Sequence, residues 1–375
     1  PRLLTAVAPA VAKAAMDSGV AQHHITDWDA YNDRLKKLMG YDNKMLREFT
    51  EMARKEPKRV VFAEANHANM LQAASTAMKE GICKPILLGN DELIGKLAES
   101  IGVDLSGMQI INLRHPNEEG RRYAQLLTEK RQREGMTYAE AHEKMFDRNY
   151  FGMMMVEAGE ADAFITGTYS KYAETIQIAK EVIGIREGYK HFGAMHIMNT
   201  KCGTYFLADT LINRKPTTET LIDIAKLSYD SVRFFAKDPV IAMVSYSNFG
   251  SDNQGSPLRV HEAIKILHEQ YPEIIIDGEM QMNFALNNKL RDKSYPFNKL
   301  KGREVNTIVF PNLSSANSAY KMMLEMGVAE SIGPIQMGLN KPIHFTDIAS
   351  STRDIVNLTT VAVLDAIVQE RRNKQ

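Results

Sequence analysis

The stretch Gly250-Ser251-Asp252-Asn253-Gln254-Gly255-Ser256 has the glycine spacing of a loop that cradles phosphate with backbone N–H groups. Such a loop needs a lysine after its second glycine to neutralise the outer phosphates. Here Ser256 and Pro257 stand in that place, so nucleoside triphosphate hydrolysis is not supported. The loop does follow an apolar run, and α/β sheets hold ligands at strand C-termini. An ordinary strand-to-helix turn and a ligand loop both remain open. His261 and His268 are seven residues apart with Glu262 between them. That is two helical turns instead of the one that pairs histidines on a metal, so no metal site is expected. Arg121, Arg122, Lys130, Arg131 and Arg133 crowd one helix end, as a solvated face or as a cluster aimed at phosphate. Met153-Met154-Met155 reads as core packing.

These residues need a frame. Strand-length apolar runs at 59–65, 85–89, 109–113, 161–167, 240–247, 273–278 and 307–313 alternate with amphipathic stretches. The expected helices include 69–80, 118–134, 138–147, 171–183, 218–235, 257–269, 315–326 and 351–371. The alternation predicts an α/β fold with a mainly parallel sheet and helices on both faces. Residues 191–199 and 204–209 are joined by a short link and are expected to pair antiparallel. Residues 1–45 read differently. Leu3, Val7, Val11 and Ala14 make a helical stripe that Pro9 interrupts, which predicts a separate first turn. Asp17-Ser18-Gly19 is a stop signal, and a second helix is expected from Thr26 or Asp27.

With 375 residues, 44% hydrophobic and 25% charged, the chain is long enough for two domains or one large α/β unit. Lys+Arg and Asp+Glu both number 46, which gives no general attraction to nucleic acid or an anionic membrane. Any anion site must be a local cluster. Cys83 and Cys202 are far apart and suit a reduced, cytoplasmic setting. No spanning segment, signal peptide or GxGxxG dinucleotide fingerprint is read. A start at Pro1-Arg2-Leu3 suggests an excised or processed piece.

Several stretches, taken in order, resemble phosphotransacetylases: Arg59-Val60-Val61-Phe62-Ala63-Glu64, Glu134-Gly135-Met136-Thr137, Tyr150-Phe151-Gly152-Met153-Met154, Gly159-Glu160-Ala161-Asp162-Ala163 and Ala242-Met243-Val244-Ser245-Tyr246-Ser247. The series ends at Gly333-Pro334-Ile335-Gln336-Met337-Gly338-Leu339-Asn340-Lys341-Pro342 and covers 46–371. Ser245 through Ser251 look more like the version in bacterial hybrid NADP-dependent malic enzymes, and residues 1–21 resemble the last helix of the catalytic part of those enzymes.

The resemblance implies a three-layer α/β/α sandwich in two subdomains with a cleft between them, like isocitrate and isopropylmalate dehydrogenases. The subdomains would be 46–187 with 337–375, and 188–336; residues 1–45 would be the tail of a catalytic part plus a linker. It implies a phosphate-binding Arg131 and an Asp354 that deprotonates CoA. The expected arginines appear as Gln177 and Ile348, and an expected serine as Asp347. Two positive charges are lost and one negative gained, so transfer between acetyl phosphate and CoA is not expected. The implied role is regulatory and oligomerising, with acetyl-CoA as effector and no cofactor in this part. NADP and a divalent metal would belong to a malic-enzyme catalytic domain of the same chain. Effector contacts are expected from Arg131, Tyr169, Lys171, Asn248, Asn312, Asn317, Met337 and Lys341, and a homodimer or higher homo-oligomer is expected. An active phosphate acyltransferase is the alternative.

Overall fold

The computed structural model describes residues 2–21, 23–28, 31, 35, 44–114, 118–235 and 237–373. Residues 1–48 and 49–375 form two compact units. In the first, α1 (Arg2–Asp17) runs straight through Pro9. The expected separate first turn is therefore wrong. Ala10, Ala12, Ala14 and Ala15 are strong helix formers, and they carry the helix past the one amide that proline removes. It stops where expected, with Gly19 at φ 74°. The helix expected from Asp27 lies largely outside the described residues.

The next elements are α2 (Lys44–Lys55), β1 (Lys58–Phe62), α3 (Ala68–Lys79), β2 (Cys83–Leu88), α4 (Asp91–Ile101), β3 (Gln109–Ile111), α5 (Glu118–Arg131), α6 (Tyr138–Lys144), α7 (Arg148–Glu157), β4 (Ala163–Thr166) and α8 (Tyr172–Val182). After them come β5 (Gly193–Thr200), β6 (Gly203–Ala208), α9 (Thr218–Phe234), β7 (Ile241–Val244), α10 (Gly255–Gln270), β8 (Ile276–Met280), α11 (Met282–Leu286) and α12 (Asn288–Ser294). The chain closes with β9 (Thr307–Val309), α13 (Leu313–Glu325), β10 (Ala329–Met337), β11 (Ile343–Phe345) and α14 (Thr352–Asn373).

The strands among the described residues make two sheets. The first, in order β11-β4-β1-β2-β3, is parallel throughout. Its strands are apolar because both faces are covered. On one face Val61 and Ala63 join a core with Tyr123, Phe151 and the Met153–Met155 run. The second sheet, β10-β5-β6-β9-β7-β8, is mixed. There β5 pairs antiparallel with β6, as the short link at 201–202 predicts, and β10 pairs antiparallel with β5. The periodicity missed β10 and β11. Gly333-Pro334 sits inside β10, where the pairing register shifts between Ile332 and Ile335. A proline cannot donate to the ladder, so it marks a bulge here and hides the strand. In β11 a buried polar His344 breaks a run of only three residues.

Candidate functional site

Strands β1 and β4 end side by side, and the loops beyond them meet at the buried carboxylate of Glu64. Glu64 accepts hydrogen bonds from Gly167 N at 3.0 Å, Thr168 N and Oγ1 at 2.5 Å each, Tyr169 N at 3.1 Å, and Ser170 N and Oγ at 2.8 and 2.7 Å. Burial pushes this carboxyl up, but the Thr168 and Ser170 hydroxyls and the loop amides outweigh it and hold it below its ordinary value. The amides of 167–170 therefore point inward, away from any ligand. Gly167 lets the loop lie against Thr346, since a Cβ there would sit 2.5 Å from the Thr346 carbonyl oxygen. Tyr169 projects outward, 58% exposed, with its ring edge-on to His67. Lys171 is solvated and faces Glu174 at 3.3 Å.

The turn after β11 lies alongside. Thr346 N donates to Thr166 O at 2.7 Å, and Asp347 N donates to Ser350 Oγ at 3.0 Å. Asp347 accepts from Ala349 N at 3.2 Å through Oδ1 and faces Lys321 Nζ at 3.4 Å through Oδ2. Lys321 comes from α13, which packs on the second sheet, so this pair ties one sheet's loops to the other sheet's helix. Burial works against the Lys321 charge, but Tyr320 and Asp347 outweigh it and hold the ammonium above its ordinary value. Beneath lies His196, its ring stacked on Tyr320 at 4.1 Å and its Nδ1 2.9 Å from Thr210 Oγ1. Burial pushes its pKa down to about 3, so it is a neutral core group. Ile348 is 70% exposed. Asp354 accepts from Ser351 N at 2.9 Å and Ser351 Oγ at 2.7 Å, and its own N–H bonds back to that hydroxyl, which makes it a capping partner at the start of α14.

Arg131 and Gln177 do come together, in a separate concavity of about 490 Å³. Arg131 grips Glu134 through both carboxylate oxygens at 2.5 and 2.7 Å. It also donates at 2.6 Å to the carbonyls of Glu181 and Lys180, near the end of α8. Lys144, Lys180, Glu140 and Glu181 line the same concavity, with Lys144 3.3 Å from Glu181, so its lining carries three cations and three carboxylates. This is a balanced network, not a cationic phosphate cradle.

The remaining expected contacts scatter. Asn248 Oδ1 accepts from Gln281 N at 2.8 Å, and Asn312 caps α13 by accepting from Ser315 N at 3.0 Å. Asn317 lies one turn before Lys321 on α13. Met337 is only 3% exposed and belongs to the core. Lys341 precedes β11, which places it at the opposite edge of the first sheet from Tyr169 and Asp347. The loop at 250–255 is built over a buried carboxylate. Gly250 N and Ser247 Oγ both donate to Glu279 Oε1, so these two donors turn inward. Sequence reading missed Glu64, His196 and Lys321. The donor-rich run Gly167-Thr168-Tyr169-Ser170 was the available signal for a carboxylate beneath it. Among the described residues no cluster of three His, Cys, Asp or Glu could hold a metal ion, and no helix is long and apolar enough to cross a membrane.

The family model described as Phosphate acetyl/butaryl transferase matches residues 44–363. The chain belongs to this family. The NADP-dependent malic enzyme of Salmonella typhimurium is 37% identical over 374 residues, which is 98% of this chain and 49% of that protein. The phosphate acetyltransferase of Bacillus subtilis is 32% identical over 309 residues, 82% of this chain and 95% of that protein. Among solved structures, a phosphotransacetylase from Streptococcus pyogenes superimposes with a TM-score of 0.81 at 30% identity, covering 87% of this chain and 99% of its own. Family members of the second and third kind are thus matched nearly end to end, whereas the chain spans about half the length of the malic enzymes it matches.

Proposed function

We propose that this chain is a regulatory domain that binds acetyl-CoA and does not transfer its acetyl group, and that it forms the C-terminal half of a cytoplasmic malic enzyme. One observation carries the reading. The positions where the family resemblance implies free cations for an acyl phosphate hold none: Gln177 and Ile348 are neutral, Arg131 is paired with Glu134, and Asp347 brings a carboxylate. Losing one buried charge-assisted contact costs about 2–5 kcal/mol, so losing two removes useful turnover of a dianion. CoA is larger and offers several separate contacts, so its binding survives the same losses. The two sheets take the place of the two subdomains of a three-layer α/β/α sandwich, in the manner of isocitrate dehydrogenases, with the ligand between them.

In this reading the activity, the NADP and the divalent metal belong to the other half, and acetyl-CoA inhibits malate decarboxylation through differential affinity for two arrangements of a homo-oligomer. Tenfold inhibition requires only about 1.4 kcal/mol of coupling. A coupled assay with acetyl phosphate and CoA, run beside calorimetric titration with acetyl-CoA, tests the proposal. Binding heat without acetyl-CoA formation is the expected result. Robust protein-dependent acetyl-CoA formation would establish an active acyltransferase instead.

A further inference from the structure

We propose that Lys321 is the cation that receives a phosphate group of the bound ligand, and that Asp347 occupies it as an internal competitor in the ligand-free chain. This rests on the reading that the chain binds an acyl-CoA. Lys321 Nζ lies 3.4 Å from Asp347 Oδ2, and both side chains remain about half exposed, at 51% and 43%. An ion pair so open to water is weak, so an incoming dianion can displace the carboxylate. The pair stands where the turn after β11, whose strand pairs with β4, meets α13, next in sequence to the exposed Ile348. By contrast, Arg131 has two carboxylate contacts and two carbonyls, and Lys171 is 81% exposed beside Glu174.

The turn that carries Asp347 is held independently of the lysine. Asp347 N bonds to Ser350 Oγ, Oδ1 takes Ala349 N, and Asn69 Nδ2 donates to Ser350 O at 3.1 Å. The carboxylate is therefore fixed in place while the flexible lysine stem is free to swing from it. Ligand binding then exchanges an internal contact between the two sheets' elements for a ligand contact, which gives the two states a reason to differ in affinity.

The test is calorimetric titration of the purified chain with acetyl-CoA, with acetyl-pantetheine, which has no phosphate, and with inorganic phosphate. Asp347→Asn keeps the acceptor for Ala349 N and removes the charge. It should tighten acetyl-CoA binding about three- to fivefold and leave acetyl-pantetheine unchanged. Lys321→Gln should weaken acetyl-CoA at least about tenfold, and adding Asp347→Asn to it should have no further effect. A gain confined to acetyl-CoA identifies a phosphate of CoA as the group received; a gain for inorganic phosphate alone identifies a free-phosphate subsite. Wild-type binding that neither variant alters overturns this inference and leaves the acetyl-CoA reading intact. No binding of acetyl-CoA by wild type or Asp347→Asn overturns both.

Discussion

Two buried glutamates hold the loops at the C-terminal edges of the two sheets, and they do so unequally. Glu64 beneath the first sheet's loop accepts six hydrogen bonds, and both oxygens are used. Glu279 beneath the second sheet's loop is equally buried, but only Oε1 is used, by Ser247 Oγ and Gly250 N. Among the described residues its Oε2 has no hydrogen-bond partner, and the half-exposed His261 stands 3.5 Å away. A loop whose amides all converge on one carboxylate can open only by losing several bonds at once. A loop with two such bonds loses less when its carboxylate is removed. The first region thus fixes the loop that carries Tyr169 through Glu64, whereas the second is held mainly by bonds within the loop and to Gln281.

Substitutions can break this comparison. Glu64→Ala leaves four backbone amides and two hydroxyls without their acceptor and should cost at least about 3 kcal/mol in denaturant unfolding. Glu64→Gln should cost less, and its deficit should depend on pH. The folded-state pKa of Glu64 is depressed, so its ionised form stabilises the fold above the ordinary value of 4.5. That contribution is lost as pH falls below 4.5 through the lowered value, and the gap between wild type and Glu64→Gln should close over the same window. Glu279→Ala should cost about 1–2 kcal/mol, because fewer donors are stranded. Glu279→Gln should be the mildest, within about 1 kcal/mol, if its amide turns toward His261. Equal losses at Glu64 and Glu279 would show that the hydrogen-bond inventory does not set the stability of these loops.

Much of this frame was legible. The apolar runs at 59–65, 161–167 and 240–247 mark β1, β4 and β7 because both faces of those strands are buried. Strand β10 was not, since Pro334 and the register shift erase its pattern. The site was less legible than the fold. Arg131 and Gln177 do share a concavity, but spacing cannot show that the arginine is bound to Glu134 and two carbonyls. Lys321 and Asp347 are 26 residues apart and meet only because β10 and β11 return the chain from the second sheet to the first. Lys341 and Lys171 are both expected as effector contacts, yet the parallel register of β4 and β11 puts Lys341 at the other edge.

The central claim is binding without transfer. Its most direct test is equilibrium dialysis of acetyl-labelled acetyl-CoA against the chain in excess phosphate, reading both retained label and label recovered as acetyl phosphate. The account predicts saturable retention with no protein-dependent acetyl phosphate. Acetyl phosphate formed in proportion to protein, or no retention at all, would contradict it.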